Sequence, residues 1–131
     1  MKNKFFKIII ILVVFLSLIG CTEEKKEEKK VTIHKMEEKD LNTQIKELID
    51  QGNYIIVDVR TKAEYDQSHI KGSINIEYDK IDENVKLDKD KLIMVYCKSG
   101  KRSTTAYNTL KGLGYNVFNM GAFENINLEK E

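Results

Sequence analysis

The chain has 131 residues, which leaves room for one small domain and one small core. Its formal net charge is +1, so nothing in the charge balance argues for nucleic-acid binding. Only two cysteines are present, Cys21 and Cys97.

The chain opens MKNKFFK, with three lysines, and continues into an apolar run from Ile8 to Ile19 that ends at Gly20-Cys21. A basic start followed by a short apolar run is a secretory signal, and the run falls short of the roughly 20 residues that span a bilayer. Leu18-Ile19-Gly20-Cys21 resembles a bacterial lipobox. That resemblance implies cleavage after residue 20 and diacylglyceryl attachment at Cys21, hence a chain anchored by lipid to the outer side of the cell membrane. The alternative is an uncleaved anchor with an incidental cysteine. Loss of residues 1–20 removes Lys2, Lys4 and Lys7 and no acid, which turns the net charge slightly negative. If Cys21 carries lipid, Cys97 is an exported thiol without a disulfide partner, which asks for a chemical reason.

Residues 22–30, TEEKKEEKK, hold nothing apolar to bury and place like charges four apart, Glu23 with Glu27 and Lys25 with Lys29. They read as a solvated tether, so the organisation is a signal at 1–20, a lipidated cysteine and tether at 21–30, and one domain at 31–131. From Val31 onward, strand-like apolar runs alternate with helix-like stripes, the pattern of an α/β domain with a mostly parallel sheet.

A short strand is expected near Val31–His34, then a helix with Leu41, Ile45, Leu48 and Ile49 on one face, stopped by Gly52. Tyr54–Val59 reads as a buried strand. Thr61 with Glu64 three residues on has capping-box spacing and predicts a short helix that carries Tyr65 toward the core. Ser73–Ile76 follows as a brief strand, and Ile81 and Val85 stand at helical spacing within 79–87. Lys91–Tyr96 is the strongest candidate for a central strand. Ala106, Leu110 and Leu113 predict a helix over 103–113 stopped by Gly114, Val117–Met120 a last strand, and the tail after Gly121 a final short helix.

Chemistry concentrates in CKSGKRS, residues 97–103, between the central strand and the following helix. There the loop amides and a helix N-terminus converge on one point, which attracts an anion. Cys97 stands at the strand's carboxyl end beside Lys98, Lys101 and Arg102, and oriented amides with positive charge favour thiolate over thiol. Six consecutive N–H groups, Lys98 to Ser103, are candidates for that cradle; Gly100 permits its curvature, and Ser99 or Ser103 can donate a hydroxyl to sulfur. Arg102 has two open roles, anion clamp or structural ion pair. His34 has no partner at metal-ligand spacing, and neither a metal site nor a cofactor is expected.

Three blocks resemble the rhodanese family: IIVDVRTKAEYDQSHIKGSINI at 55–76, CKSGKRS at 97–103, and LGYNVFNMG at 113–121. Small departures occur at Ser68 and Ser73, and Ala122-Phe123 stands where the family often has another glycine and a tryptophan. The resemblance implies a rhodanese-like fold, a parallel central sheet flanked by helices. It implies a sulfurtransferase in which Cys97 takes a sulfane sulfur from a small anionic donor such as thiosulfate, or from a persulfide, and hands it to a thiol or cyanide. Asp58, Arg60, Glu64, His69 and Gly72 then belong to the scaffold: Asp58 and His69 fix the turn around Gly72, and Arg60 and Glu64 pair near the helix start. Related phosphatases and arsenate reductases have five residues between cysteine and arginine. Here four separate Cys97 from Arg102, which argues for sulfur over phosphate. The rivals are a non-catalytic sulfur carrier or partner-binding module, and a thiol-dependent oxyanion reductase. A monomer suffices for each.

Overall fold

The computed structural model describes residues 39–131; the expected signal, lipidation site, tether and Val31–His34 strand lie outside them. Within that span run α1 (Leu41–Gln51), β1 (Tyr54–Asp58), α2 (Lys62–Gln67), β2 (Ile74–Asn75), β3 (Leu92–Cys97), α3 (Lys101–Gly112) and β4 (Asn116–Ala122). The four strands form one sheet in the order β2-β1-β3-β4, with every pair parallel. The fold is therefore α/β, a parallel sheet flanked by helices.

Each strand of the centre is buried on both faces, which is why the sequence reads there as continuous apolar runs. Alternation sends Ile93, Val95 and Cys97 of β3 into one cluster with Val57, Ala106, Leu110 and Val117. Met94 and Tyr96 go to the opposite face with Ile45, Ile56, Met120 and Phe123. Those two clusters are the core, and α3 and α1 contribute one side of each.

Local chemistry explains most boundaries. Asp40 caps α1, its side chain accepting from the amides of Asn42 and Thr43, and Gly52 ends the helix at φ 72°. At α2, Thr61 accepts from the Glu64 amide while Glu64 accepts from the Thr61 amide at 3.0 Å, the reciprocal capping box expected there.

One expectation is corrected. Residues 79–87 do not form a helix; a 3-10 turn covers Tyr78–Lys80, after which the Asp82 carboxylate takes the Asn84 amide at 2.8 Å. Aspartate competes with helical hydrogen bonds in this way, so the spacing of Ile81 and Val85 is met by turns that still deliver both to the core. The short helix expected in the tail is a single 3-10 turn at Phe123–Asn125, and the chain end pairs with the 69–71 segment. His69 and Glu131 exchange backbone hydrogen bonds at 2.8 and 2.9 Å.

At its carboxyl end β4 slips by one residue against β3: Val95 faces Asn119, but Tyr96 faces Gly121. Gly121 adopts φ 79°, and the shift sets Ala122 opposite Cys97. Phe123, just beyond this shift, is buried and stacks on Tyr96 at 5.8 Å between ring centroids.

Candidate active site

Cys97 is the last residue of β3, and α3 begins at Lys101. The chain between them turns through Gly100 at φ 92°, a left-handed conformation that favours glycine. An added β-carbon at Gly100 would lie 3.8 Å from the Gly121 Cα, in ordinary contact, so the conformation and not crowding demands glycine. Gly100 also caps α3 without a side chain, and its carbonyl accepts from the Ser103 hydroxyl at 3.0 Å and the Thr104 hydroxyl at 2.8 Å.

Of the six amides from Lys98 to Ser103, that of Gly100 bonds the sulfur directly, donating to Cys97 Sγ at 3.0 Å. Burial pushes the Cys97 thiol up, but the Ser103 hydroxyl and the amides of Ser103, Gly100 and Ser99 more than offset it, and the thiol lies below its ordinary value. The single Ser103 proton has two acceptors, the Gly100 carbonyl and the sulfur; a thiolate is the stronger claimant because the bond is charge-assisted.

Ionisation and access are separate matters here. Cys97 has no exposed surface, packed on one side among Val95, Ala106 and their neighbours and covered on the other by its loop. Beside the loop lies an open cleft of about 210 Å³ bordered by Lys98, Arg60, Ser68 and Phe123.

The residues expected as scaffold are arranged differently from the expectation. Arg60 does not pair with Glu64. Its Nε donates to both Asp58 carboxylate oxygens at 3.0 Å, and its Nη2 donates to Asp58 Oδ2 at 2.7 Å and to the Ser68 carbonyl at 2.6 Å. Both partners are buried, and Phe123 lies 4.3 Å beneath the guanidinium.

Glu64 instead binds Arg102, at the start of α3. The contact is bidentate, Nη1 to Oε2 at 2.7 Å and Nη2 to Oε1 at 2.9 Å. The Arg102 guanidinium, with the Thr61 amide and hydroxyl, holds the Glu64 carboxyl down at about 2. Arg102 therefore takes the ion-pair role of the two left open by its residue type.

Asp58 bears on the turn around Gly72 through Tyr96, whose hydroxyl interacts with its carboxylate, and the direct bonds come from other groups. Ser73 closes it by donating to the Ile70 carbonyl at 2.9 Å, and the Tyr96 hydroxyl takes the Ile70 amide at 3.0 Å. The Tyr65 hydroxyl adds a bond to the Ser73 carbonyl at 2.7 Å. His69 stacks on Tyr65 at 3.8 Å and donates from Nδ1 to the Tyr65 carbonyl. Burial pushes the Tyr96 hydroxyl up to about 12, so it stays a neutral strut. Tyr96 and Gly121 escaped the sequence reasoning; the position of Tyr96 directly before Cys97 was the available signal.

Among the described residues no group of three or more His, Cys, Asp or Glu side chains could hold a metal ion, and no helix is long and apolar enough to cross a membrane.

Comparison with known proteins bears on the same geometry. The rhodanese-like domain family model matches residues 41–128. The thiosulfate sulfurtransferase PspE of Escherichia coli is 35% identical over 78 residues, which cover 56% of this chain and 75% of that protein. The thiosulfate sulfurtransferase GlpE of Coxiella burnetii is 32% identical over 81 residues, covering 60% and 76%. Among solved structures, a rhodanese with anions from Escherichia coli superposes with a TM-score of 0.55 at 31% identity, over 60% of this chain and 96% of that one. A Bacillus halodurans protein superposes with a TM-score of 0.63 at 30% identity, over 82% and 85%. The match over residues 41–128, the parallel sheet and the cysteine loop at its carboxyl edge agree: the chain belongs to the rhodanese-like domain family.

Proposed function

We propose that this protein is a sulfurtransferase that carries sulfane sulfur as a persulfide on Cys97. The Cys97 thiolate attacks the outer sulfur of thiosulfate; a new S–S bond forms, the S–S bond of thiosulfate breaks, and sulfite leaves with the bonding electrons. With a persulfide donor the leaving group is the donor's thiolate. Cyanide or a thiol then takes the terminal sulfur, and Cys97 returns to thiolate. The observation that carries this reading is the sulfur held low by the Gly100 amide at 3.0 Å and the Ser103 and Ser99 groups. The same donors stabilise the anionic persulfide and balance the charge of the incoming donor. Lys98 and Lys101, which have no ion-pair partner among the described residues, add attraction at longer range. The relatives named as thiosulfate sulfurtransferases support the same chemistry.

The test is turnover. Purified full-length chain given thiosulfate and cyanide is expected to form thiocyanate, and Cys97→Ser to form none. A persulfide that accumulates on Cys97 and passes to no acceptor would favour the carrier reading. Reduction of arsenate with thiol would favour the oxyanion reductase.

The proposal places this domain outside the cytoplasmic membrane on a lipid at Cys21, from the basic start, the apolar run and Leu18-Ile19-Gly20-Cys21. Cys21→Ala is expected to abolish lipid labelling and membrane recovery; release of the unchanged wild type as a soluble protein would refute the anchor.

A further inference from the structure

The Glu64–Arg102 pair joins two elements that the reaction uses differently. Glu64 is the third residue of α2, and Arg102 is the second residue of α3, immediately behind the sulfur loop. Glu64 Oε2 accepts from the Thr61 amide, the Thr61 hydroxyl and Arg102 Nη1, all within 3.0 Å, while Oε1 accepts from Arg102 Nη2. The carboxylate is thus immobilised by its own helix cap before it meets the arginine. It presents a fixed fork to which the planar guanidinium is matched. Only about a quarter of each side chain is exposed, so water competes weakly with the pair.

Arg102 is the arginine of the sulfur loop and can grip a polyanion with two parallel hydrogen bonds, whereas Lys98 and Lys101 are point charges. Glu64 takes one hydrogen bond from each of its Nη groups and so fixes the guanidinium toward α2. We infer that Glu64 is a specificity-determining positioning residue: by holding Arg102 away from the donor it limits how strongly the loop favours a compact anion such as thiosulfate over a weakly charged alkyl persulfide. The inference deepens the proposed function and rests on the loop being the place where the donor binds. Its test needs no sulfur transfer, so the two can fail separately.

The probe is alkylation of Cys97 in the full-length chain, followed on the Cys97 peptide by mass, with iodoacetate as anion and iodoacetamide as its neutral counterpart. Glu64→Gln is chosen because glutamine preserves the capping box while removing the charge that binds Arg102. The ratio of the iodoacetate rate to the iodoacetamide rate is expected to rise roughly three- to tenfold. In an Arg102→Gln background the same change is expected to raise the ratio by less than twofold, because no guanidinium remains to be released. Arg102→Gln alone is expected to leave the wild-type ratio within about twofold, since Arg102 is already withheld.

A purely structural role would change both rates by a common factor and leave the ratio still; that result overturns the inference. So does an equal rise of the ratio with and without Arg102, which would mean that removing a distant negative charge is the whole effect. If Glu64→Gln does not fold, Arg102→Gln still decides, because a several-fold fall in the ratio would show that Arg102 was serving the anion all along.

Discussion

At the amino ends of the strands, Leu48, Leu92, Val117 and Phe118 border a cleft of about 490 Å³ rimmed by Asn53 and Asp90. At the carboxyl ends, the cleft beside Lys98 holds about 210 Å³. The larger hollow has no cation among its bordering residues, whereas the smaller is bordered by Lys98 and Arg60 beside the loop whose Gly100 amide bonds the Cys97 sulfur. The difference follows from parallel topology: every strand ends on one side, so loops and helix N-termini with their unpaired N–H groups collect there. Volume therefore says little about where the chemistry lies, and substitutions at the two ends are expected to affect different measurements.

The largest effect is at the carboxyl end. Cys97→Ser is expected to lose all sulfur loading while its thermal unfolding stays near that of the wild type, because serine is similar in size. Detectable thiocyanate formation by this variant would break the assignment. Gly100→Val forces a β-branched residue to φ 92° and displaces the amide that bonds the sulfur. Loading is expected to fall about a hundredfold, the scale for loss of one preorganised donor, as read from single-turnover mass measurements. Asp58→Asn strikes the support beneath the loop: it leaves the buried Arg60 unpaired and is expected to cost about 3–5 kcal/mol in denaturant unfolding. At the amino end, Phe118→Ala is expected to cost about 2 kcal/mol and leave loading per folded molecule unchanged. A proportionate loss of loading there would erase the contrast between the ends.

The last effect is in acid. Glu64 has its carboxyl lowered from an ordinary 4.5 to about 2, so the stability it supplies is complete above the unfolded value and is lost as pH falls through about 2. Acid unfolding between those values is expected to be less steep in Glu64→Gln.

Local features were legible in the sequence, and pairings between distant segments were not. The strand Leu92–Cys97 shows as an apolar run because both of its faces are covered, and the Thr61–Glu64 cap shows because it closes within four residues. Residues 79–87 misled because apolar spacing of four is shared by a helix and by successive turns pinned by Asp82. Arg60 stands near both Asp58 and Glu64 in the chain, and the sequence holds no signal that Glu64 is taken by an arginine 38 positions away. The burial of Cys97 was equally hidden, since glycine, serine and lysine around a cysteine describe its charge and not the cover above it.

Sulfur transfer by this protein requires Cys97 to accept one sulfur, and the mass of the Cys97 peptide after brief exposure of the native chain to thiosulfate reads that event directly. The expected result is a gain of one sulfur atom at Cys97, reversed by cyanide. An unchanged mass over the pH range in which the thiol is ionised would contradict it.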